Sequence, residues 1–187
     1  GHSASGVWVN EKAETSVKGL YSAGDMAAVP HNYMLGAFVY GWFAGTNAAE
    51  YIANLADSEL NQAEIEAEQA RIFAPLHRPQ GLSSEQVEYK LRRMVNDYLQ
   101  PPKTRQKIEI ALKRFDEIRV DIAQINATHP HELMRAAEVS VILDCAEMAA
   151  RASLFRTESR WGLYHYRADF PEKNEQDWFC HAHLKKD

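Results

Sequence analysis

The feature of this chain that most constrains its fold is the position of its glycines. Seven of the nine glycines lie within the first 45 of 187 residues. Gly36, Gly41 and Gly45 fall inside a predicted helix, 33–55, where each glycine costs about 1 kcal/mol relative to alanine. Close approach of another backbone or of a flat ligand is the usual compensation for such a cost. The start of the chain is therefore predicted to pack tightly against a neighbour that side chains would obstruct.

The composition of the chain indicates what kind of protein it is and in which compartment it occurs. Charged residues make up 25% and hydrophobic residues 45% of the sequence, as in an average soluble protein, which excludes disorder as its main description. Two cysteines, Cys145 and Cys180, are too few for a disulfide framework and indicate a reducing, cytoplasmic compartment. The net charge of −5 argues against nucleic acid as a partner.

The longest uncharged stretch, 26–49 with His31 neutral, raises the question of a membrane span. Only 33–45 is densely apolar, which falls short of the about 20 residues that a spanning helix needs. The N-terminus also lacks a basic segment followed by a long apolar run, so no signal peptide is expected. We predict a buried helix here and no membrane span.

The chain is predicted to be mainly α, an up-and-down helical bundle with a small glycine-rich α/β segment. Residues 1–56 contain two short β-prone stretches, Val7–Val9 and Gly19–Gly24, and the helix 33–55. Residues 57–155 are predicted to form the bundle, and 156–187 an extended tail packed on it. The predicted bundle helices are 58–76, 83–99, 103–127 and 128–155.

The last two bundle helices differ in their apolar patterns. One presents a single seam of residues three and four positions apart: Ile108, Ala111, Phe115, Ile118, Ile122 and Ile125. The other is apolar around most of its circumference, which predicts a central position in the bundle: Leu133, Ala137, Val139, Val141, Ile142, Cys145 and Met148.

A short strand ending at Gly24-Asp25, followed by a helix, is an arrangement that can hold a ligand. The Asp25 carboxylate can accept hydrogen bonds from sugar-like hydroxyls, and free N–H groups at the helix start stabilise negative charge. The alternative is that the glycines only permit a turn and tight packing of the helix. Spacing alone favours that alternative.

Two motifs near opposite ends of the chain resemble the FAD-binding flavoproteins of the succinate dehydrogenase and fumarate reductase family. The N-terminal motif is carried by Thr15-Ser16, Gly19-Leu20-Tyr21, Ala23-Gly24-Asp25 and the segment from Ala44-Gly45 to Glu50-Tyr51. The C-terminal motif is carried by Arg156–Arg160, Tyr166–Pro171 and Asp177–His181. Together the two motifs extend the resemblance over essentially the whole chain.

This resemblance implies a site for FAD. Asp25, next to Gly24, would contact the ribityl or neighbouring hydroxyls of the cofactor. The backbone at four residues would lie against the pyrimidine edge of the isoalloxazine: Met34, Leu35, Gly36 and Ala37. Contact between the backbone and the ring edge would explain why glycines are present in this helix although they destabilise it.

The loop before this helix departs from the succinate and fumarate enzymes. Those enzymes carry a His-Gly-Ala-Asn-Arg loop whose arginine binds a substrate carboxylate, whereas no arginine occurs here between Val17 and Ala70. The shorter loop and residues 159–167 resemble the adenylylsulfate reductase α-subunit branch, in which a histidine faces the substrate side of the flavin. His31 is therefore the predicted catalytic residue. His2 resembles a substrate-binding histidine of the family, with spacing one residue short, although Gly1-His2-Ser3 equally fits a tag remnant.

On this resemblance the chain is expected to be the C-terminal part of an FAD-dependent oxidoreductase that transfers hydride between flavin and a small anionic substrate. Its expected partners are the N-terminal flavin and capping domains of the parent and an iron–sulfur subunit, through which the complex could associate with a membrane; an oligomer is compatible with the sequence. Alone, the chain is expected neither to hold FAD firmly nor to turn over. The alternative is a non-catalytic helical module that docks a partner subunit.

The remaining polar clusters are assigned structural roles. His129-Pro130-His131 and the run Cys180–His183 lack the ligand spacing of a zinc site, so no metal site is predicted. Asp144 is predicted to be hydrogen-bonded within the bundle. Tail residues of alternating sign are predicted to pair with one another or with the bundle: Glu158, Arg160, Arg167 and Asp169.

Overall fold

A computed structural model describes residues 6–29, 33–56, 59–162 and 164–185. The chain divides into two compact units, Gly1–Leu60 and Asn61–Asp187. The predicted mainly α class is confirmed, since the described residues form six α-helices: α1 (Tyr33–Ala53), α2 (Gln62–Phe73), α3 (Ser84–Leu99), α4 (Arg105–Ile122), α5 (Pro130–Phe155) and α6 (Glu175–Trp178). Among these residues, no helix combines the length and the hydropathy that crossing a bilayer requires.

The second unit is built around α3, α4 and α5, each of which packs against the other two. Its core consists of buried apolar side chains from all three helices, including Val87, Leu91, Ile108, Phe115, Ile118, Val139 and Leu143. The single apolar seam predicted on α4 explains this packing, because residues three and four apart share one helix face. α2 also packs on α5, as does a 3₁₀ turn at Ala74–His77.

Side-chain caps set helix starts that differ from the predicted ones. α2 begins at Gln62 because the Asn61 side chain accepts a hydrogen bond from the Glu64 N–H (3.4 Å); the predicted start, residue 58, lies outside the described residues. α4 begins at Arg105 rather than at 103 because the Thr104 hydroxyl accepts from the Lys107 N–H (3.2 Å).

α4 ends at Ile122, five residues before its predicted end, because the chain after it pairs with the segment before α3. The Leu82 N–H donates to the Gln124 carbonyl (2.9 Å), and the Asn126 N–H donates to the Leu82 carbonyl (3.2 Å). Ile125, which extends the predicted helical seam, is buried through this bridge instead. A tertiary pairing therefore replaces the last helical turn.

The predicted strands of the first unit are present only as isolated bridges. Val7 pairs in parallel with Ala27, and Glu14 pairs antiparallel with Tyr21. Each segment has one neighbour over one residue pair, so no ladder develops among the described residues of this unit. α1 follows and ends at Ala53, two residues before its predicted end. The prediction that this helix is buried is wrong for the described residues, because Phe38, Trp42 and Ile52 are all largely exposed.

α5 contacts α2, α3 and α4, as its predicted central position requires. Its apolar circumference, however, is not buried throughout. Val141, Cys145 and Met148 are exposed, whereas Val139 and Leu143 are buried. The pattern predicted the position of the helix but left open which of its sides the bundle covers.

Candidate functional site

The candidate site begins at a hairpin that precedes α1. The Thr15 N–H donates to the Leu20 carbonyl (2.9 Å), and Gly19 closes the turn with φ +80°, a conformation that glycine adopts without strain. Tyr21 then contacts α1, where its hydroxyl donates to the Asn47 carbonyl at 3.4 Å. The hairpin therefore fixes the path along which the chain approaches α1.

A 3₁₀ turn, Gly24–Met26, follows the hairpin and packs on α1. Gly24 has φ +67°, and a Cβ atom placed on it would lie 3.7 Å from Cβ of Ala37. The Ala27 N–H donates to the Gly24 carbonyl (3.1 Å) and closes the turn. The structure thus brings together Gly24 and Ala37, two of the residues predicted to contact a cofactor.

The surface beside this turn fits the chemistry of FAD. Asp25 is exposed and presents a carboxylate, which can accept hydrogen bonds from sugar hydroxyls. Met34, Leu35 and Ala37 are also exposed and offer apolar contact, whereas Gly36 between them is buried. The remaining predicted site residues, His31 and His2, lie outside the described residues.

A polar cleft of about 350 Å³ lies between the hairpin and the second half of α1. Its walls combine both signs of charge, amides and tyrosines: Lys12, Glu14, Lys18, Tyr21, Asn47, Glu50, Tyr51, Asn54 and Leu55. Desolvation, followed by the Glu14 charge, raises the pKa of Tyr21 above its ordinary value. This cleft could not be predicted from the sequence, because its walls are about 30 positions apart in the chain and carry no local motif.

The second unit contains a buried arginine, Arg167, at the carboxyl end of α5. Its guanidinium pairs with both carboxylate oxygens of Asp169 (2.8 and 2.7 Å) and donates to the carbonyls of Ser153 (2.5 Å) and Arg156 (2.9 Å). These carbonyls belong to the last turn of α5 and to its C-cap residue, Arg156, where no following helical N–H groups are present to bond them. The predicted pairing is confirmed, and Arg167 also caps the helix.

Glu158 is the buried anion of the same region. It accepts from Arg156 (2.6 Å), Arg160 (2.6 Å) and the Asn174 N–H (2.9 Å). Burial alone would raise the pKa of Glu158, but these hydrogen bonds outweigh burial and lower the pKa to about 2. The hydrogen bonds from Arg167 likewise lower the pKa of Asp169 to about 2.

His165 lies beside this cluster, and sequence analysis did not single it out. Its Nε2 atom is buried and makes no hydrogen bond within the described residues. Desolvation and the positive charges of Lys103, Arg156 and Arg167 lower the pKa of His165 to about 4. The imidazole is therefore neutral at pH 7, in contrast to the charged groups around it.

This arrangement predicts a loss of stability in mild acid. The folded pKa of His165, about 4, is below its unfolded value of 6.5, so the unfolded chain binds more protons between these values. The free energy of unfolding should fall as the pH drops from 6.5 to 4, by about 1–2 kcal/mol after allowance for partial solvent exposure. A further loss, from Glu158 and Asp169, should follow as the pH falls from about 4.5 towards 2.

Urea denaturation across this pH range measures the effect. His165→Gln should flatten the slope between pH 6.5 and 4, whereas His77→Gln, at an exposed histidine of the same unit, should leave it unchanged. An unchanged slope in His165→Gln would contradict the assignment.

The other histidine and carboxylate candidates form no metal site. Within the part of the chain that the structure describes, no three His, Cys, Asp or Glu side chains are arranged to hold a metal ion. His129 and His131 stack on each other, with ring centroids 6.3 Å apart, at the start of α5. Asp144 accepts a hydrogen bond from Arg119 (3.1 Å), but at the surface rather than inside the bundle as predicted.

The family of this chain follows from its similarity to known proteins. Residues 88–187, more than half of the chain, match the family model described as the fumarate reductase flavoprotein C-terminal region. The chain belongs to this flavoprotein family. The resemblance seen in its two motifs is confirmed.

The relatives cover almost all of the chain. An uncharacterized FAD-dependent oxidoreductase of Methanocaldococcus jannaschii is 27% identical over 94% of the chain and 33% of its own length. The succinate dehydrogenase flavoprotein subunit of Bacillus subtilis is 27% identical over 95% of the chain and 33% of its own length. The structure of adenylylsulfate reductase from Archaeoglobus fulgidus superposes with a TM-score of 0.84 at 28% identity, over 92% of this chain and 32% of that one.

The chain covers only part of each of these relatives. It spans about one third of the length of the curated relatives that it matches. The matching family members include FAD-dependent oxidoreductases of the succinate dehydrogenase and fumarate reductase type, and this chain has the fold of their C-terminal part.

Proposed function

We propose that this chain supplies one wall of an FAD site in a flavoprotein that transfers hydride between the flavin and a small anionic substrate. The observation that carries the proposal is the approach of Gly24 to Ala37 beside an exposed Asp25, within the motif that the family shares. When bound, FAD supplies the redox chemistry, with its ring accepting or donating the hydride. The residues of this chain bind and orient the cofactor.

In this proposal Asp25 accepts hydrogen bonds from the ribityl or neighbouring hydroxyls. The backbone from Met34 to Ala37 lies against the pyrimidine edge, where the first-turn N–H groups of α1 have no partner inside the helix. Such N–H groups stabilise negative charge at that edge.

The substrate is proposed to be an anion other than a dicarboxylate. No arginine is present between Val17 and Ala70 to bind a second carboxylate. The similarity to adenylylsulfate reductase favours the sulfur-substrate branch, with His31 at the substrate side of the flavin and His2 as a substrate contact. Electrons would then pass to an iron–sulfur partner.

The proposal is tested on the complete gene product that carries these residues. Asp25→Asn should weaken FAD binding about tenfold, because hydrogen bonds to a charged acceptor are worth about 1.5–3 kcal/mol and the amide keeps only part of them. Flavin content after gel filtration and the dissociation constant from flavin fluorescence measure the change.

Glu11→Gln is the matched control, because it removes one exposed carboxylate from the same unit without touching the turn. Equal FAD affinity in Asp25→Asn and in the unaltered protein would remove Asp25 from the site. A complete gene product that purifies without flavin and binds none on addition of FAD would contradict the proposed function and favour the non-catalytic docking module.

A further inference from the structure

α5 has a second apolar side, opposite to the one that faces the bundle. Val141 is 61%, Met148 52% and Met134 50% exposed, and Phe155 and Cys145 are exposed as well. A helix that is apolar on all sides is normally covered on all sides. The bundle covers only the side that carries Val139, Leu143 and other core residues.

The exposed residues of α5 are spaced as a helix-packing seam. Seven residues of α5 follow one another at intervals of four and three, and Glu138 is the one charged residue among them. We call them the outer seam: Met134, Glu138, Val141, Cys145, Met148, Ala152 and Phe155. Such spacing keeps one stripe facing a partner helix along its length, as in a coiled coil. The shape that fits the outer seam is therefore another α-helix.

The charges beside the outer seam indicate how that partner helix is oriented. Asp144 and Arg151 are seven residues apart, so they lie on the same flank of α5, and each is 58% exposed. When two copies of a helix pack antiparallel, equivalent flanks face each other, whereas in a parallel pair each flank faces the opposite one. A parallel pair would place Asp144 opposite Ala149, which carries no charge.

In an antiparallel pair with its twofold axis between Ala146 and Glu147, the outer seams pack on each other and the charged flanks meet opposite charges. In that register Cys145 faces the partner's Met148, and Val141 faces the partner's Ala152. The same register sets Asp144 opposite the partner's Arg151, and the twofold axis repeats each contact. Such self-complementarity is what an isologous interface requires.

We propose that the outer seam of α5 is a docking surface for a second copy of this chain, packed antiparallel and held by two Asp144–Arg151 pairs. The present partners of these residues, Arg119 for Asp144 and Glu147 for Arg151, are exposed ion pairs on the same surface. They leave both charged groups accessible to a second partner. The proposal does not depend on FAD binding.

Sedimentation equilibrium of the full chain between roughly 1 and 200 µM tests the association. The chain should be a concentration-dependent dimer, and Val141→Glu should raise its dissociation constant at least about 100-fold, because each copy would bury an unpaired carboxylate against the partner's Ala152. Val120→Glu is the control, since Val120 is 60% exposed on a different helix, α4, and is not a member of the outer seam. It should leave the dissociation constant within about twofold.

A charge exchange tests the register. Asp144→Arg and Arg151→Asp should each raise the dissociation constant about tenfold, because each brings like charges together, and the double variant should restore it to within about threefold. Thermal unfolding of each variant checks that the monomer is intact.

A thiol pair tests the same register directly. In a Cys180→Ser background, Met148→Cys should link to the partner's Cys145 when oxidised glutathione takes up the two electrons and two protons of the thiols. Val120→Cys in that background should not cross-link. A chain that stays monomeric, an unaffected dimer in Val141→Glu, or a double variant that is not restored would each overturn the proposal, and would leave the seam to another domain of the complete flavoprotein.

Discussion

Replacing Arg167 by methionine should lower the free energy of unfolding of the 61–187 unit by about 3–5 kcal/mol, because a carboxylate and several carbonyls lose a buried, charged donor. The guanidinium is fully buried and holds Asp169 through two hydrogen bonds. It also satisfies carbonyls at the end of α5, including that of Ser153. Methionine fills a similar volume but donates no hydrogen bond, so the carbonyls would lose their buried donor. The partly exposed Asp169 carboxylate would keep only its hydrogen bond from the Arg105 N–H (2.8 Å). Urea denaturation followed by circular dichroism measures the loss.

The matched control is Arg114→Met, which removes an arginine that also pairs with a carboxylate but at the surface. Arg114 and Glu117 are about half exposed, and water replaces the lost pair. This variant should unfold at the same urea concentration as the unaltered chain. Arg167→Lys keeps the charge but lacks the planar fork, so its loss should be intermediate and measurable even where Arg167→Met does not fold. Equal stability of Arg167→Met and Arg114→Met would contradict the role given to Arg167.

The fold could be predicted from the sequence where it depends on local periodicity. The seam of α4 predicted which of its side chains are buried, and Ile108, Phe115 and Ile118 are buried. The alternating charges of the tail predicted that Arg167 would be paired. Its burial could not be predicted, because that depends on carbonyls at Ser153 and Arg156, which no local pattern relates to position 167.

The candidate site could be predicted in part. The sequence predicted a short strand ending at Gly24-Asp25 before a helix, whereas the structure has a 3₁₀ turn, Gly24–Met26, at this place. The polar cleft could not be predicted, since Tyr21 and Asn47 are brought together only when the hairpin packs on α1. The apolar circumference of α5 could be seen, but not which side remains exposed, because that depends on how α3 and α4 pack against it.

Gly81→Ala should cost the 61–187 unit about 3 kcal/mol or more, since a methyl group would be forced into closely packed backbone. A Cβ atom at Gly81 would lie 2.3 Å from the carbonyl oxygen of Gln124 and 2.9 Å from the nitrogen of Asn126. Neither atom belongs to a flexible side chain, so one of the two segments must move. The movement would stretch both hydrogen bonds that Leu82 makes to the segment after α4 and would open the packing around Ile125.

The adjacent Gln80 provides the control for this substitution, because its side chain is exposed and Gln80→Ala introduces no new atom near the bridge. That variant should unfold within error of the unaltered chain. Hydrogen exchange gives a second readout, because loss of the bridge should speed exchange of the Leu82 and Asn126 amides in Gly81→Ala even if the helices stay folded. Full stability together with slow exchange of both amides in Gly81→Ala would show that the two segments can separate at little cost. In the sequence, Gly81 stands out only as a glycine two residues after Pro79. A glycine is needed there because the segment after α4 packs directly against its backbone.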